Sequence, residues 1–343
     1  MYTARRFRFV RTVQWTWTIL PLMGLWSLGL TAAHNLLHLE WLRLLGLPVG
    51  LLGTAVSFYL GFKGNAAYER LWEARKIWGG IVNTSRTWGV YVTTLVTDLH
   101  VGDRAADPPL PQLHRELLYR HMAWLGALRT QLRRRKAWEH DAEWNDRFRK
   151  VIGTYDQSPE RLRRRIEPFL PPGEADQLLT QKNQATQLLR RQGERIATLF
   201  EYGRIDDFRH MELVKLLEEM YTLQGRCERI KNFPLPRQYA TANHWFVMVF
   251  LLLLPAGLLG TLHGYALPEH FAWGVVPASM ILGWVFYTWD MVLDYSENPF
   301  EGLINDIPMD ALSRTIEIDL REMLGETDLP APVGPVADGH AVM

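Results

Sequence analysis

Two pairs of side chains have the spacing of chemical groups. His34 and His38 are four residues apart, so a helix would present both imidazoles to one metal ion. Such a site needs several more ligands. The other histidines form no second cluster at ligand spacing, so the pair is read as interface histidines, with no metal and no cofactor expected. Asp290 and Asp294 repeat the i, i+4 spacing at the end of an apolar run, where acids mark either function or pairing. Structural pairing with cytoplasmic Arg is the expectation here. The single Cys227, among Arg226, Glu228 and Arg229, excludes an internal disulfide framework and a cysteine zinc site. There is no glycine-rich phosphate loop, no Gly-x-Ser-x-Gly and no His-Glu-x-x-His, so the chain is not read as an enzyme. A third set is apolar: Thr54, Phe58 and Phe62, at i, i+4 and i+8, share one helix face. An aromatic stripe is ordinarily packing, and gains a function only where that face meets a symmetry axis.

The elements that carry these residues follow from charge patterning. Mean hydropathy is −0.12, which averages over strong segregation. Four stretches lack Asp, Glu, Lys and Arg: 12–33, 44–62, 245–262 and 271–289. Each has about 20 residues, enough for a helix to cross ~30 Å of hydrocarbon. The first begins after Arg5, Arg6, Arg8 and Arg11 but is longer than the ~7–15 apolar residues of a signal peptide. The second contains Gly46, Pro48, Gly50, Gly53 and Gly61, a composition suited to burial among neighbours. Trp15, Trp41, Trp245, Trp273 and Trp289 lie near span ends, where indoles favour the headgroup layer. A charged block, 63–240, separates the two pairs of spans.

Lys and Arg cluster before the first span, after the second and before the third, whereas only Arg43 lies between the first two and none between the last two. This distribution places both termini and the middle block in the cytoplasm of a multi-pass inner (plasma) membrane protein. A net charge of +1 leaves no surplus for a nucleic-acid partner. Within the block, helices are expected over 65–97, 113–143, 176–202 and 206–231, and Ser158-Pro159 reads as a helix start. Arg133–Lys136 is expected to form a solvated face. Pro234 and Pro236 mark the return towards the third span. Pro255 and Pro277 should kink the last two, and a Pro/Gly-rich tail, 326–343, is expected to be disordered. No strand is evident, so the class is all-α.

Three motifs resemble the bestrophin family, its bacterial members most closely. The first runs from Gly61-Phe62-Lys63-Gly64-Asn65 through Arg70-Leu71-Trp72 to Gly80. The second is Cys227 through Asn232-Phe233-Pro234-Leu235-Pro236. The third is Glu297-Asn298-Pro299-Phe300-Glu301-Gly302, followed by Asn305-Asp306-Ile307-Pro308. The resemblance spans about residues 5–325, read as one domain. It implies a homopentameric channel with four transmembrane helices per subunit (2+2) and a large helical cytosolic region. The second span would line a central pore, with Thr54, Phe58 and Phe62 as its neck. A ring of five apolar side chains makes a constriction that can gate by dewetting. The polar Thr54 implies a wetter outermost ring. The family's inner constriction should lie within Leu213–Met220. The run Glu301–Asp306 has too few carboxylates for the calcium clasp of animal members. The permeant ions are expected to be small and monovalent, with cations favoured over chloride on resemblance. Two other readings stay open: a non-conducting membrane scaffold that binds a cytosolic protein, and a metalloenzyme using His34 and His38.

Overall fold

A computed structural model describes residues 8–42, 49–99, 101, 108–140, 158–264 and 269–334. Expectations for Arg5, Arg6, Arg43, Gly46, Pro48 and the end of the tail lie outside them. Every described element is helical. The helices are α1 (Phe9–Thr16), α2 (Ile19–Leu37), α3 (Val49–Leu95), α4 (Leu110–Leu132), α5 (Pro159–Ile166), α6 (Glu174–Leu179), α7 (Gln184–Glu201), α8 (Asp207–Asn232), α9 (Arg237–Gly264), α10 (Val275–Asp294) and α11 (Met309–Met323). They form two compact units, an apolar one (Ala4–Arg70 and Pro234–Asn298) and a polar one (Leu71–Phe233 and from Pro299 onward). α3 contributes residues to both.

In the apolar unit, Arg237–Leu262 and His270–Asp294 are each long and apolar enough to cross a membrane. α1 and α2 meet that test only together, with a 61° bend between them. The first span was expected to be one continuous stretch. It breaks at Trp17–Thr18 because Pro21 cannot donate to the Trp17 carbonyl, and its ring crowds that oxygen. Small residues let α2 and α10 approach closely. A Cβ on Gly283 would sit 3.0 Å from Met23, and one on Gly24 3.3 Å from the Met280 sulfur. Pro255 withholds a donor from the Leu251 carbonyl within α9, and at the next carbonyl, that of Leu252, the Trp26 indole donates (2.9 Å).

The polar unit is built round the second half of α3. Ala74, Trp78, Ile81, Ser85, Trp88 and Val92 recur every three to four residues on the buried face, and the apolar ones, with Ile77, pack with Trp124 and Leu128 of α4. Each fully buried indole contributes up to about 4–6 kcal/mol of apolar burial. Ser158 caps α5, with Pro159 in its first position, and Asp206 caps α8 by accepting from Arg209 N (2.9 Å). Two expected helices are shorter than their patterns suggested. α4 stops at Leu132, and the helix expected over 176–202 is divided in two. Its second part, α7, starts where the Asn183 side chain caps Thr186 N (3.0 Å).

Candidate functional site

α3 places the three stripe residues together. Phe58 is 65% and Phe62 61% exposed, and Thr54 lies on the same open face. Gly61 and Asn65 extend it, since a Cβ on Gly61 would meet nothing within 4 Å and Asn65 is exposed. The stripe is therefore not packing within the subunit. The Thr54 hydroxyl donates to the Gly50 carbonyl (3.0 Å), so its proton is spent inside the helix.

The opposite face holds α3 in place. Val56, Leu60, Lys63 and Ala67 are buried at alternating i+3 and i+4 spacing. Gly53 lets the Phe250 ring of α9 approach to 2.9 Å of where a Cβ would stand. Gly257 of α9 does the same for Val49, at 2.8 Å. Lys63 is only 1% exposed. Its ammonium lies 3.2 Å from Asp290 and 3.6 Å from Asp294 of α10. His244 Nδ1 meets the other Asp290 oxygen at 2.8 Å. The two aspartates are thus paired, but not with the cytoplasmic arginine expected. Their partners are the lysine that seemed to end the second span and a histidine.

Beyond α10 the chain turns through the third motif. Arg70 Nε donates to the Glu297 carbonyl (3.0 Å), and Arg237 donates to the Glu297 carboxylate (2.6 Å). Burial, and then Asp294, push the Glu297 carboxyl up against the pull of Lys63 and Arg237. Asn298 is buried, and its amide has no hydrogen-bond partner among the described residues. Pro234 follows Phe233, whose extended backbone ends α8 as a residue before proline should.

In the polar unit, Pro299 leads into a tight loop. Phe300 is fully buried with φ of +70°, and Gly302 has φ of +95°. One carboxylate fixes both. Asp306 accepts from Phe300 N (2.9 Å), Ile307 N (2.7 Å) and Gly302 N (2.7 Å), and pairs with Arg133. A bulky left-handed residue costs about 1–3 kcal/mol, and these bonds over-determine it. Glu301 is taken by His140, whose backbone N–H donates to it at 2.7 Å. The basic run at Arg133–Lys136 was expected to be solvated, but Arg133 is buried, paired with Asp306 and donating to the Ile307 carbonyl (3.1 Å). Trp72 is about half exposed on α3.

Other candidates separate. His38 ends α2 in a left-handed conformation, which takes it off the helical face it would share with His34. Burial drives the Cys227 thiol far above its ordinary range, so it stays protonated. Within Leu213–Met220, Leu213, Leu217 and Met220 are core, and Val214 is the exposed apolar residue. Sequence reasoning missed Lys63 and His244. The register 56, 60, 63, 67 was the available signal, since it sets Lys63 on the buried face.

The family model for the bacterial and fungal bestrophin protein matches residues 8–322. The chain belongs to the bestrophin family. It is 31% identical over 279 residues to a voltage-dependent anion channel-forming protein of Mesorhizobium japonicum, covering 81% of this chain and 75% of that one. It is 30% identical to the voltage-dependent anion channel-forming protein YneE of Salmonella typhi, covering 86% and 84%. A bestrophin homologue of Klebsiella pneumoniae of known crystal structure matches with a TM-score of 0.69 at 26% identity, over 91% of this chain and 99% of that one. The bestrophin fold and a membrane setting follow for this chain.

Proposed function

We propose that five copies of this bestrophin form an ion channel whose pore is lined by α3, with Thr54, Phe58 and Phe62 as the neck. The observation that carries the reading is the asymmetry of α3. Its stripe face is open in the subunit, while its other face is packed and pinned by a buried ion pair. Five such faces round an axis would make a narrow apolar constriction. The subunit then has four spans: the bent α1–α2 pair, α9, α10 and the start of α3. The apolar part of α3 carries Gly50, Gly53 and Gly61 before Lys63, a composition that suits a helix facing a pore and protein rather than lipid. The polar unit and both termini lie in the cytoplasm of the inner membrane, and 1–325 works as one channel domain.

Small anions are the ions this reading assigns. The cations favoured from resemblance find no support in the names of the relatives, which are anion channel-forming proteins. Aromatic ring edges carry partial positive charge and tolerate an anion that has shed part of its water. Single-channel recordings of Phe58→Ala and Phe62→Ala test the neck. Wider rings are expected to raise unitary conductance severalfold, and wild-type conductance in both variants would remove the assignment.

A further inference from the structure

The polar unit gathers arginines that the proposed pore does not use. α4 carries Arg129, with Arg133 at its C-cap. α5 carries Arg161 and Arg165, and α11 carries Asp310 in its first turn and Arg314 one turn later. Two of them reach one carboxylate directly, and Arg133 and Arg161 act on it from further away. Arg129 lies 3.1 Å and Arg165 3.7 Å from the same Asp310 oxygen. Burial works to raise the Asp310 carboxyl, but Arg129, Arg165, Arg133 and Arg161 outweigh it and hold the group below its usual range.

Among the described residues, the positive charge here exceeds what the acids neutralise. Arg133 is matched by Asp306, and Arg314 by Glu317 at 3.4 Å. Among the described residues, Arg129 and Arg165 share Asp310 as their ion-pair partner, with Glu317 acting on Arg129 from further away, and Arg161 has no acid partner, so the three guanidiniums outnumber the acid paired with them. Two groups in this set are unspent. Arg129 Nε is buried with no hydrogen-bond partner among the described residues. The half-buried Arg161 guanidinium makes no ion pair or hydrogen bond among them. Burial, then Arg129, with Arg161 and Arg133 adding, pushes the Arg165 guanidinium down to about 10, with Asp310 opposing. Planar guanidinium forks match the paired oxygens of a tetrahedral oxyanion, and a dianion would cancel the surplus. Chloride would cancel half of it and accepts no bidentate fork.

We propose that Arg129, Arg161 and Arg165, gathered round Asp310 by α4, α5 and α11, bind a phosphoryl dianion, either free phosphate or the phosphomonoester headgroup of a lipid. The site is independent of the pore reading, because binding is measured without conduction. Titration calorimetry and thermal unfolding of the full-length protein in detergent, at constant ionic strength, provide the test with inorganic phosphate. Saturable binding and stabilisation are expected with phosphate and not with chloride. Arg161→Gln breaks no side-chain hydrogen bond or ion pair among the described residues, so it should shift the phosphate-free Tm little and weaken phosphate at least tenfold. Arg161→Lys, which keeps the charge without the fork, should fall between. Equal responses to phosphate and chloride, or an Arg161→Gln protein that binds phosphate as the wild type does, would overturn the site. Vesicles of phosphatidylcholine with and without phosphatidic acid then distinguish the sources. Displacement of bound phosphate by phosphatidic acid assigns a lipid headgroup, and undisturbed phosphate binding assigns the free ion.

Discussion

Lys63 loses several kcal/mol of hydration where it sits, and Asp290 and Asp294 offset the loss. Removing the ammonium takes the lysine partner from the buried Asp290 carboxylate, which keeps His244. Lys63→Met is therefore expected to cost about 3–5 kcal/mol. Adding Asp290→Asn should recover part of it, and Tm values of the single and double variants in one detergent measure the coupling. His121 makes the opposite case. It is buried against Ser85 (2.8 Å), and burial pushes its imidazole down to about 3. The unfolded chain takes up a proton below about pH 6.5 while the folded chain does not. Stability is thus intact above that pH and falls as pH drops towards the folded value, by about 2 kcal/mol at pH 5. His121→Gln cannot titrate, so its Tm should fall less between pH 7.5 and pH 5 than that of the wild type. At this scale the sequence was only partly legible. The stripe at Thr54, Phe58 and Phe62 was visible as a helical period. Lys63 was read as the end of a span, because a charge after an apolar run usually is one, and its partners are 227 and 231 residues away.

Helices were more legible than single partners, because caps act locally. Ser158-Pro159 and Asp206 started helices where their chemistry said they would. The division before α7 was harder to see. It depends on Asn183, one polar residue in a polar run, whose side chain turns back to cap Thr186. The bend between α1 and α2 was hidden by apolarity, which continues through a Pro21 that cannot complete the first turn. The contact between α3 and α9 tests how tightly these elements are fitted. Gly53 lies against Phe250, so Gly53→Ala forces the ring to shift and should cost about 1–3 kcal/mol. Phe250→Leu should relieve much of that in the double variant. Equal destabilisation by Gly53→Ala with either residue at position 250 would mean that the ring does not set the spacing.

The assembled molecule is where the sequence says least, since no residue of one chain records how many copies surround it. The account requires five stripe faces round one axis, and mass measurement in detergent should therefore return a pentamer. A monomer or dimer would leave the open face of α3 without its axis and favour a scaffold that binds a partner. Anion conduction is the claim on which the account rests. The most direct test is the reversal potential of the purified protein in a planar bilayer under a KCl gradient. The account predicts a shift towards the chloride equilibrium potential, and a shift towards that of potassium would contradict it.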